Sequence, residues 1–307
     1  MKSLIAVLAI LLTSTVDAAS FPCAKASSRI EKAICSDAAL GKLDDEIAAA
    51  FTADKASVDG TWRPALQRSQ REWLALRPDA PARLADEMRK RLKVLQGIHV
   101  SLGGLQFLRL SDESRPMFML GNAPGAKTYN RWVEKVWVEG VGETTELPRG
   151  TPMCPTGNHD DCNGDTTARI YETVVPSPTL VSVSEKIITY EQMAAHPMVD
   201  LRYSNWWVSR AGPVTVSDVF VGASWKAVIA KAARDSVKQS FPDLKVEADQ
   251  IDAVTRVDDW SFTKASLVFM IDGEQFNLGR GESFVEVPWK DFGAALRPEF
   301  AAELVVR

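Results

Sequence analysis

The sequence predicts an α+β protein in which a small helical bundle precedes a mixed, mainly antiparallel strand-rich domain with a packed helix. Apolar residues recur at helical spacing up to His99, whereas beyond Gly103-Gly104 they alternate and include many β-branched and aromatic side chains. The strands and the helix of the second part do not alternate regularly, which favours α+β over a doubly wound parallel sheet. We therefore expect a helical domain over residues 19–99 and an α+β domain over residues 100–307.

The first eighteen residues have the features of a secretory signal peptide. Lys2 provides the positive charge, residues 4–12 are continuously apolar, and Val16 and Ala18 occupy positions −3 and −1 of a cleavage site. The apolar run is shorter than the ~20 residues that a membrane-spanning helix needs. We expect cleavage after Ala18 and a mature protein that is periplasmic or secreted.

The composition is globular, with 46% hydrophobic and 25% charged residues. Residues 19–99 carry 14 Lys and Arg against 11 Asp and Glu, a net charge of +3. Residues 100–307 carry 21 against 28, a net charge of −7. The acidic second part favours a basic partner over nucleic acid.

The chain has four cysteines, Cys23, Cys35, Cys154 and Cys162. An even number in an exported protein indicates disulfides, and four cysteines allow three connectivities. We favour Cys23–Cys35 and Cys154–Cys162, because more than a hundred residues separate the two pairs. The alternative, a metal site, is disfavoured because the spacing lacks a C-x2-C signature and no histidine accompanies the first pair.

Four amphipathic helices are predicted in the first part. The first begins with a capping box formed by Ser28 and Glu31, and Asp37 caps the second. Asp59-Gly60 precedes the third helix, which ends at Arg77-Pro78. The apolar stripes can be buried only against one another, so we expect a bundle with these inward residues: Ile30, Ile34, Leu40, Leu43, Ile47, Phe51, Leu66, Trp73, Leu74, Leu84, Met88, Leu92 and Leu95.

Several motifs of this part are shared with a known family. The runs Phe21-Pro22-Cys23, Ile30-Glu31-Lys32-Ala33-Ile34-Cys35-Ser36-Asp37 and Gln70-Arg71-Glu72-Trp73-Leu74 resemble the N-terminal domain of the lysozyme-inhibitor LprI family. The resemblance covers most of residues 21–98 and implies a small extracytoplasmic helical module. Family members commonly carry a further cysteine shortly after the Trp motif, where this chain has Arg77-Pro78-Asp79.

Seven strands and one helix are predicted in the second part. The helix covers residues 225–239, with Trp225, Val228, Ile229 and Ala232 inward and Lys226, Arg234 and Lys238 outward. The strands are expected from alternation and composition at residues 106–110, 131–138, 168–175, 180–190, 201–210, 267–271 and 283–287.

The second part also resembles a known family over residues 168–300. The shared features, in chain order, are residues 184–190, Ala194-Ala195-His196-Pro197, Asn205-Trp206-Trp207, residues 216–220 and residues 284–289. Together they are similar to the RsiV-like extracytoplasmic domain, whose best-understood member is a sensor that binds lysozyme. That member signals through a membrane span, and no later segment of this sequence reaches spanning length. The resemblance therefore implies binding without transmembrane signalling.

Two sets of residues are candidate partner contacts. His159, Asp160 and Asp161 lie in a polar loop between Cys154 and Cys162, and a disulfide-pinned loop loses less entropy when a partner binds it. Calcium is the alternative ligand of this loop, but its acidic residues do not fit the spacing of a calcium-binding loop. Trp206 and Trp207 fit a core or an adhesive interface equally well.

The sequence contains none of the common catalytic signatures, such as G-x-S-x-G, H-E-x-x-H or a glycine-rich phosphate loop. The carboxylate pair Asp44-Asp45 is interpreted as a solvated helix face. We expect a binding protein and no enzyme, cofactor or metal, with lysozyme as the partner that both resemblances imply. The alternatives are a binder of a cell-wall fragment or envelope protein and, third, a hydrolase whose site is assembled from scattered residues.

Overall fold

A computed structural model describes residues 19–139, 166–190, 198–240, 242–243, 247, 250, 252, 254–272 and 282–304. The chain divides after Gly97 into two compact units. The first unit is helical, and the second contains three antiparallel sheets and packed helices. The predicted α+β class is confirmed.

The first unit has four helices, which follow a short 3-10 turn at Cys23–Lys25. They are α1 (Arg29–Ser36), α2 (Ala38–Ser57), α3 (Arg63–Leu76) and α4 (Pro81–Leu95). The predicted capping box is present, since the Ser28 hydroxyl accepts from the Glu31 N–H and the Glu31 carboxylate accepts from the Ser28 N–H. The Asp37 carboxylate caps α2 through the N–H groups of Ala39 and Leu40.

The core of the first unit contains buried side chains from all four helices. Leu74 differs from the prediction, because its side chain is 41% exposed. Leu66 and Ser69 are buried three residues apart, and Leu74 lies about 100° around the helix from Trp73, away from that stripe. The buried apolar residues of the four helices are Ile34, Leu40, Ile47, Ala65, Leu66, Leu84, Met88 and Leu95.

The predicted disulfide between Cys23 and Cys35 is present, with a Cα–Cα distance of 5.6 Å. It joins the first 3-10 turn to the last turn of α1. A helical unit of this size buries little apolar surface, and closing a loop of about a dozen residues stabilises it by roughly 2–3 kcal/mol. The bridge therefore has a structural role.

The second unit begins with a small sheet of β1 (His99–Leu102), β2 (Leu105–Leu108) and β3 (Phe118–Met119), in that order. Gly103 and Gly104 connect β1 to β2 with φ angles of 53° and 86°. A two-residue hairpin turn of type I′ requires positive φ at both positions, which glycine adopts without strain.

The prediction of a strand at residues 131–138 is wrong, because this segment belongs to the helix α5 (Pro124–Glu139). Its many valines and tryptophans suggested a strand, but the spacing of the buried residues is helical. The Asn130 side chain accepts from the Met119 N–H and donates to the Met119 carbonyl, which fixes α5 against β3. The buried face of α5 is Ala126, Tyr129, Val133 and Trp137.

The largest sheet has the order β4-β5-β6-β7, and every pair is antiparallel. Its strands are β4 (Thr166–Ser177), β5 (Leu180–Tyr190), β6 (Met198–Trp207) and β7 (Gly212–Pro213). The predicted bounds of β5 are confirmed, whereas β6 begins and ends three residues earlier than predicted.

The third sheet has the order β10-β9-β8, with β8 (Trp260–Phe262), β9 (Ser266–Asp272) and β10 (Glu282–Pro288). The predicted helix is α7 (Trp225–Ser240), which follows the short α6 (Val216–Val219). A 3-10 segment at Trp289–Ala295 leads to α8 (Pro298–Leu304). One apolar core joins α7, α8 and the inner face of this sheet, and it includes Ile229, Ala233, Val237, Trp260, Phe262, Phe269, Val285, Val287 and Phe300.

Candidate partner-binding surface

The structure places the predicted contact residues in two groups. His159, Asp160 and Asp161, together with Cys154 and Cys162, lie outside the described residues. Their disulfide and their role as partner contacts stay predictions. Trp206 and Trp207 are described, and the structure decides between the two interpretations that the sequence left open.

Trp206 and Trp207 are core residues, with 7% and 2% of their surface exposed. The Trp206 ring lies edge-on to Tyr129, with 5.8 Å between centroids. The Trp207 ring contacts Phe300 on one side, and the guanidinium of Arg210 lies 3.7 Å from its centroid. Because both rings are covered by other side chains, the expectation that they contact a partner directly is corrected here.

The end of β6 is also sealed by a close backbone contact. The Gly125 N–H donates to the Val208 carbonyl across 2.9 Å. A Cβ at Gly125 would lie 2.6–2.7 Å from the carbonyl oxygens of Trp207, Val208 and Arg210. Only glycine allows this approach of α5 to the strand end, which holds α5 over the Trp206 ring.

In the first unit, the last turn of α3 carries two exposed apolar side chains. Leu74 is 41% exposed and Leu76 is 73% exposed, beside the half-buried Trp73. The Arg77 guanidinium lies 5.2 Å from the centroid of the Trp73 ring. We call Trp73, Leu74, Leu76 and Arg77 the Trp73 surface. Tryptophan and arginine are the residue types most enriched among energetically dominant interface contacts.

Sequence reasoning placed Trp73 and Leu74 in the core and did not identify this surface. Leu74 and Leu76 are eight and ten residues after Leu66, so both fit a 3–4 spacing, and the spacing does not distinguish them from buried residues.

A buried polar network positions the Trp73 surface. Arg91, on α4, is buried, and its Nε donates to the Oε1 of Gln70 across 2.9 Å. Its Nη1 donates to the Ser69 hydroxyl across 3.0 Å. Ser69 and Gln70 lie one helical turn before Trp73. The network therefore fixes the rotation of α3 relative to α4 and, with it, the direction in which Trp73 and its neighbours point.

Arg77 supplies the charge of this surface. Its Nε donates to the Leu74 carbonyl at the end of α3. Burial lowers the pKa of the Arg77 guanidinium, and the carboxylates of Asp44 and Glu31 act in the opposite direction. Arginine stays protonated in proteins, so this group presents a fixed positive charge beside an aromatic ring.

The second unit contains a charged cluster on β4 and β5. The Glu185 carboxylate accepts from Arg169 Nη1 at 2.5 Å and from the Tyr171 hydroxyl at 2.6 Å. Burial, followed by the hydrogen bond to Glu185, raises the pKa of the Tyr171 hydroxyl. A phenol that is harder to ionise supplies less phenolate at neutral pH, so this cluster favours a structural role across the strand pair.

Within the part of the chain that the structure describes, no group of three or more His, Cys, Asp and Glu residues is arranged to hold a metal ion. No helix among these residues is long and apolar enough to cross a membrane.

Comparisons with known proteins find similarity to a family over part of the chain. No curated protein matches the sequence significantly. Two solved structures of DUF3298 family proteins align with part of the chain, one from Pseudomonas aeruginosa PAO1 and one from Bacteroides fragilis NCTC 9343. The first is 14% identical over 56% of this chain and 80% of its own, with a TM-score of 0.36. The second is 11% identical over 67% and 93%, with a TM-score of 0.40.

The family model described as lysozyme inhibitor LprI matches residues 23–103. The match begins at the first cysteine of the disulfide and includes all four helices with their connections. It continues through β1, which belongs to the second unit. Residues 23–103 are therefore similar to the LprI lysozyme-inhibitor family.

Proposed function

We propose that this protein is an extracytoplasmic binding protein that binds a lysozyme-type muramidase and inhibits it. The observation that carries the proposal is the match of residues 23–103 to the lysozyme inhibitor LprI family. The proposal adds a binding site to that match, namely the Trp73 surface at the end of α3. It assigns no catalytic step to this chain.

The Trp73 surface has the properties of a preorganised contact. Leu74 and Leu76 project from the rigid last turn of a helix, so they lose less conformational freedom on binding than side chains on a loop would lose. The disulfide between Cys23 and Cys35 and the network of Arg91 hold the surrounding helices in place. Covering Leu76 by a partner would remove most of its apolar surface from water.

The proposed location outside the cytoplasm is supported by three observations. Residues 1–18 have the pattern of a signal peptide, and the structure contains a disulfide between Cys23 and Cys35. Muramidases act on the cell wall, so an exported protein can meet its partner there. The family that matches the first unit is named for the inhibition of this enzyme class.

The second unit supplies further contacts in this proposal. Residues 100–307 have a net charge of −7, which would attract a basic enzyme at low salt. The segment with His159, Asp160 and Asp161, closed by a disulfide between Cys154 and Cys162, is proposed as one of these contacts. The resemblance of residues 168–300 to the RsiV-like domain supports the same ligand class.

The experiment mixes the purified mature chain, residues 19–307, with lysozymes of several types. Complex formation is measured by calorimetry, and inhibition by the rate of lysis of a cell-wall suspension. We expect Leu76→Ser to weaken the complex at least about tenfold, or ~1.4 kcal/mol, with no change in melting temperature. Met198→Ser, at an exposed apolar residue of the second unit, is the matched control and leaves binding unchanged.

The result that contradicts the proposal is the absence of a complex at low micromolar concentration with every lysozyme type. Incubation of the chain with cell-wall fragments alone separates the alternatives. Binding of the fragments would favour a wall-binding protein, and release of soluble products would favour a hydrolase.

A further inference from the structure

The third sheet of the second unit carries an exposed phenylalanine among its described residues. Val285 and Val287, on β10, are buried in the core that α7 closes. Phe284 lies between them in the alternation and points to the opposite face, where it is 57% exposed. Its register partner on β9 is Met270, which is half-buried. Phe284 is therefore left largely uncovered by the described residues.

β10 is also the edge of its sheet. It pairs with β9 from Glu282 to Pro288, and within the described ranges no strand pairs with its other side. In a strand that is paired on one side, alternate N–H and C=O groups point towards the open side. These groups can add another strand, which is how many proteins bind extended peptides.

The charge beside Phe284 selects the kind of strand that can be added. Glu286 is exposed on the same face, two residues from Phe284, and its carboxylate accepts a hydrogen bond from the Ser266 hydroxyl. A second copy of β10 would bring like charges together, and each whole second part has a net charge of −7. Charged residues on an edge strand oppose this kind of self-association.

We propose that the open edge of β10 binds an extended basic segment of a partner protein by strand addition. We call Phe284, Glu286 and Met270 the Phe284 edge. Residues directly opposite each other on neighbouring strands interact, so the bound segment carries an apolar residue facing Phe284. A Lys or Arg two positions away faces Glu286. This surface lies in the second unit, and it is independent of the Trp73 surface and of the proposed function.

The experiment uses the full mature chain and fluorescein-labelled peptides in an anisotropy titration. The probe is the eight-residue peptide Val-Thr-Lys-Thr-Val-Thr-Lys-Thr, in which valine and lysine lie two positions apart and therefore share one face of an extended strand. Two comparison peptides are derived from it. One has glutamate in place of every lysine, and the other has proline in place of a central valine. We expect the lysine peptide to bind in the micromolar range and both comparison peptides to bind at least about tenfold more weakly, because proline removes the N–H that the edge requires.

Variants of the chain assign the binding to this edge. Phe284→Ser should weaken binding of the lysine peptide at least about tenfold. Glu286→Gln, which keeps an acceptor for Ser266, should weaken this binding about threefold and reduce its salt dependence. Val221→Ser, at another exposed apolar residue, is the control and changes nothing. Melting curves establish that each variant is folded.

Three results would overturn the proposal. The first is binding of the glutamate or proline peptide as tight as that of the lysine peptide. The second is a Phe284→Ser variant that binds the lysine peptide as tightly as the native chain does. The third is self-association of the chain that Phe284→Ser abolishes. Lysozyme binding is measured in parallel with Leu76→Ser and Phe284→Ser. Phe284→Ser should lose the peptide and keep lysozyme, and Leu76→Ser should lose lysozyme and keep the peptide. Either proposal can therefore fail without the other.

Discussion

Arg91 Nε donates a hydrogen bond to Gln70 Oε1 across 2.9 Å, and this bond joins α4 to α3 inside the first unit. Gln70 begins the Gln-x-x-Trp motif by which the sequence resembles the LprI family. The structure gives the two ends of the motif different roles. Gln70 anchors the helix from within, and Trp73, one turn later, contributes to the exposed surface. The anchor and the surface can therefore be tested separately.

The first prediction concerns this anchor. Gln70→Ala removes an acceptor from a buried guanidinium, so we expect the free energy of unfolding of the first unit to fall by about 1–3 kcal/mol. Chemical denaturation monitored by far-UV circular dichroism measures the change. Arg89→Ala, which removes an exposed ion pair with Asp86 on the same helix, serves as the control and should change stability by less than about 0.5 kcal/mol. Equal effects of the two variants would contradict the anchoring role.

The second prediction concerns the disulfide. Replacing both Cys23 and Cys35 by serine should destabilise the first unit by about 2–3 kcal/mol, because the unfolded chain regains the freedom that the closed loop removes. Thermal melts of the oxidised protein with and without reductant give the same comparison without mutation. In the serine variant, reductant should leave the melting temperature of the first unit unchanged. A melt of the native protein that reductant leaves unchanged would show that the bridge contributes no stability.

The third prediction concerns pH. Hydrogen bonds from the backbone N–H groups of Ser28 and Ser27 lower the pKa of Glu31 from 4.5 to about 2. Because the folded pKa lies below the unfolded one, the stabilisation is complete above pH about 4.5 and is lost as the pH falls towards 2. NMR titration of the Glu31 side chain measures the pKa directly. Glu31→Gln should remove this part of the acid dependence, and a measured pKa near 4.5 would contradict the capping box.

The fourth prediction concerns Asp44, for which the interpretation as a solvated helix face is wrong. Asp44 is buried, and its Oδ2 accepts from the backbone N–H of Ser20 at 2.9 Å and from the Ser20 hydroxyl at 2.6 Å. Asp44→Ala should release the segment before Cys23 and destabilise the unit by about 1–3 kcal/mol. Faster hydrogen exchange of the Ser20 amide reports the release.

The neighbouring carboxylate provides the control for this variant. Asp45 is exposed, so Asp45→Ala should leave both the stability and the exchange rate of Ser20 unchanged. If the two alanine variants behave alike, Asp44 does not hold the N-terminal segment.

The fifth prediction tests the burial of Trp206. Trp206→Ala removes a ring that contacts Tyr129 and Trp132, and it should destabilise the second unit by about 3–5 kcal/mol. Trp206→Phe keeps an aromatic ring in the site and should cost less. The measurement is denaturant unfolding followed by near-UV circular dichroism. If Trp206→Ala reduces stability as little as Met198→Ala does at an exposed position, the burial of Trp206 is contradicted.

The parts of this protein that the sequence predicted correctly depend on neighbouring residues. Ser28 and Glu31 are three residues apart, and they form the capping box wherever that helix begins. Asp37 caps α2 in the same way. The alternation over Leu180–Tyr190 gave the bounds of β5, and the twelve-residue separation of Cys23 and Cys35 favoured their pairing. Each of these features requires only short-range geometry, which the order of residues fixes.

The parts that the sequence did not predict depend on residues far away in the chain. Trp206 is buried because α5 and β6 meet, and the strand predicted at residues 131–138 is a helix because its apolar face packs against that sheet. Asp44 is buried because the segment 24 residues before it hydrogen-bonds to its carboxylate. Leu76 and Phe284 are exposed because no other segment covers them in the described structure. Composition gives a side chain its preference for burial, but only tertiary packing decides which apolar residues are covered and which remain for a partner.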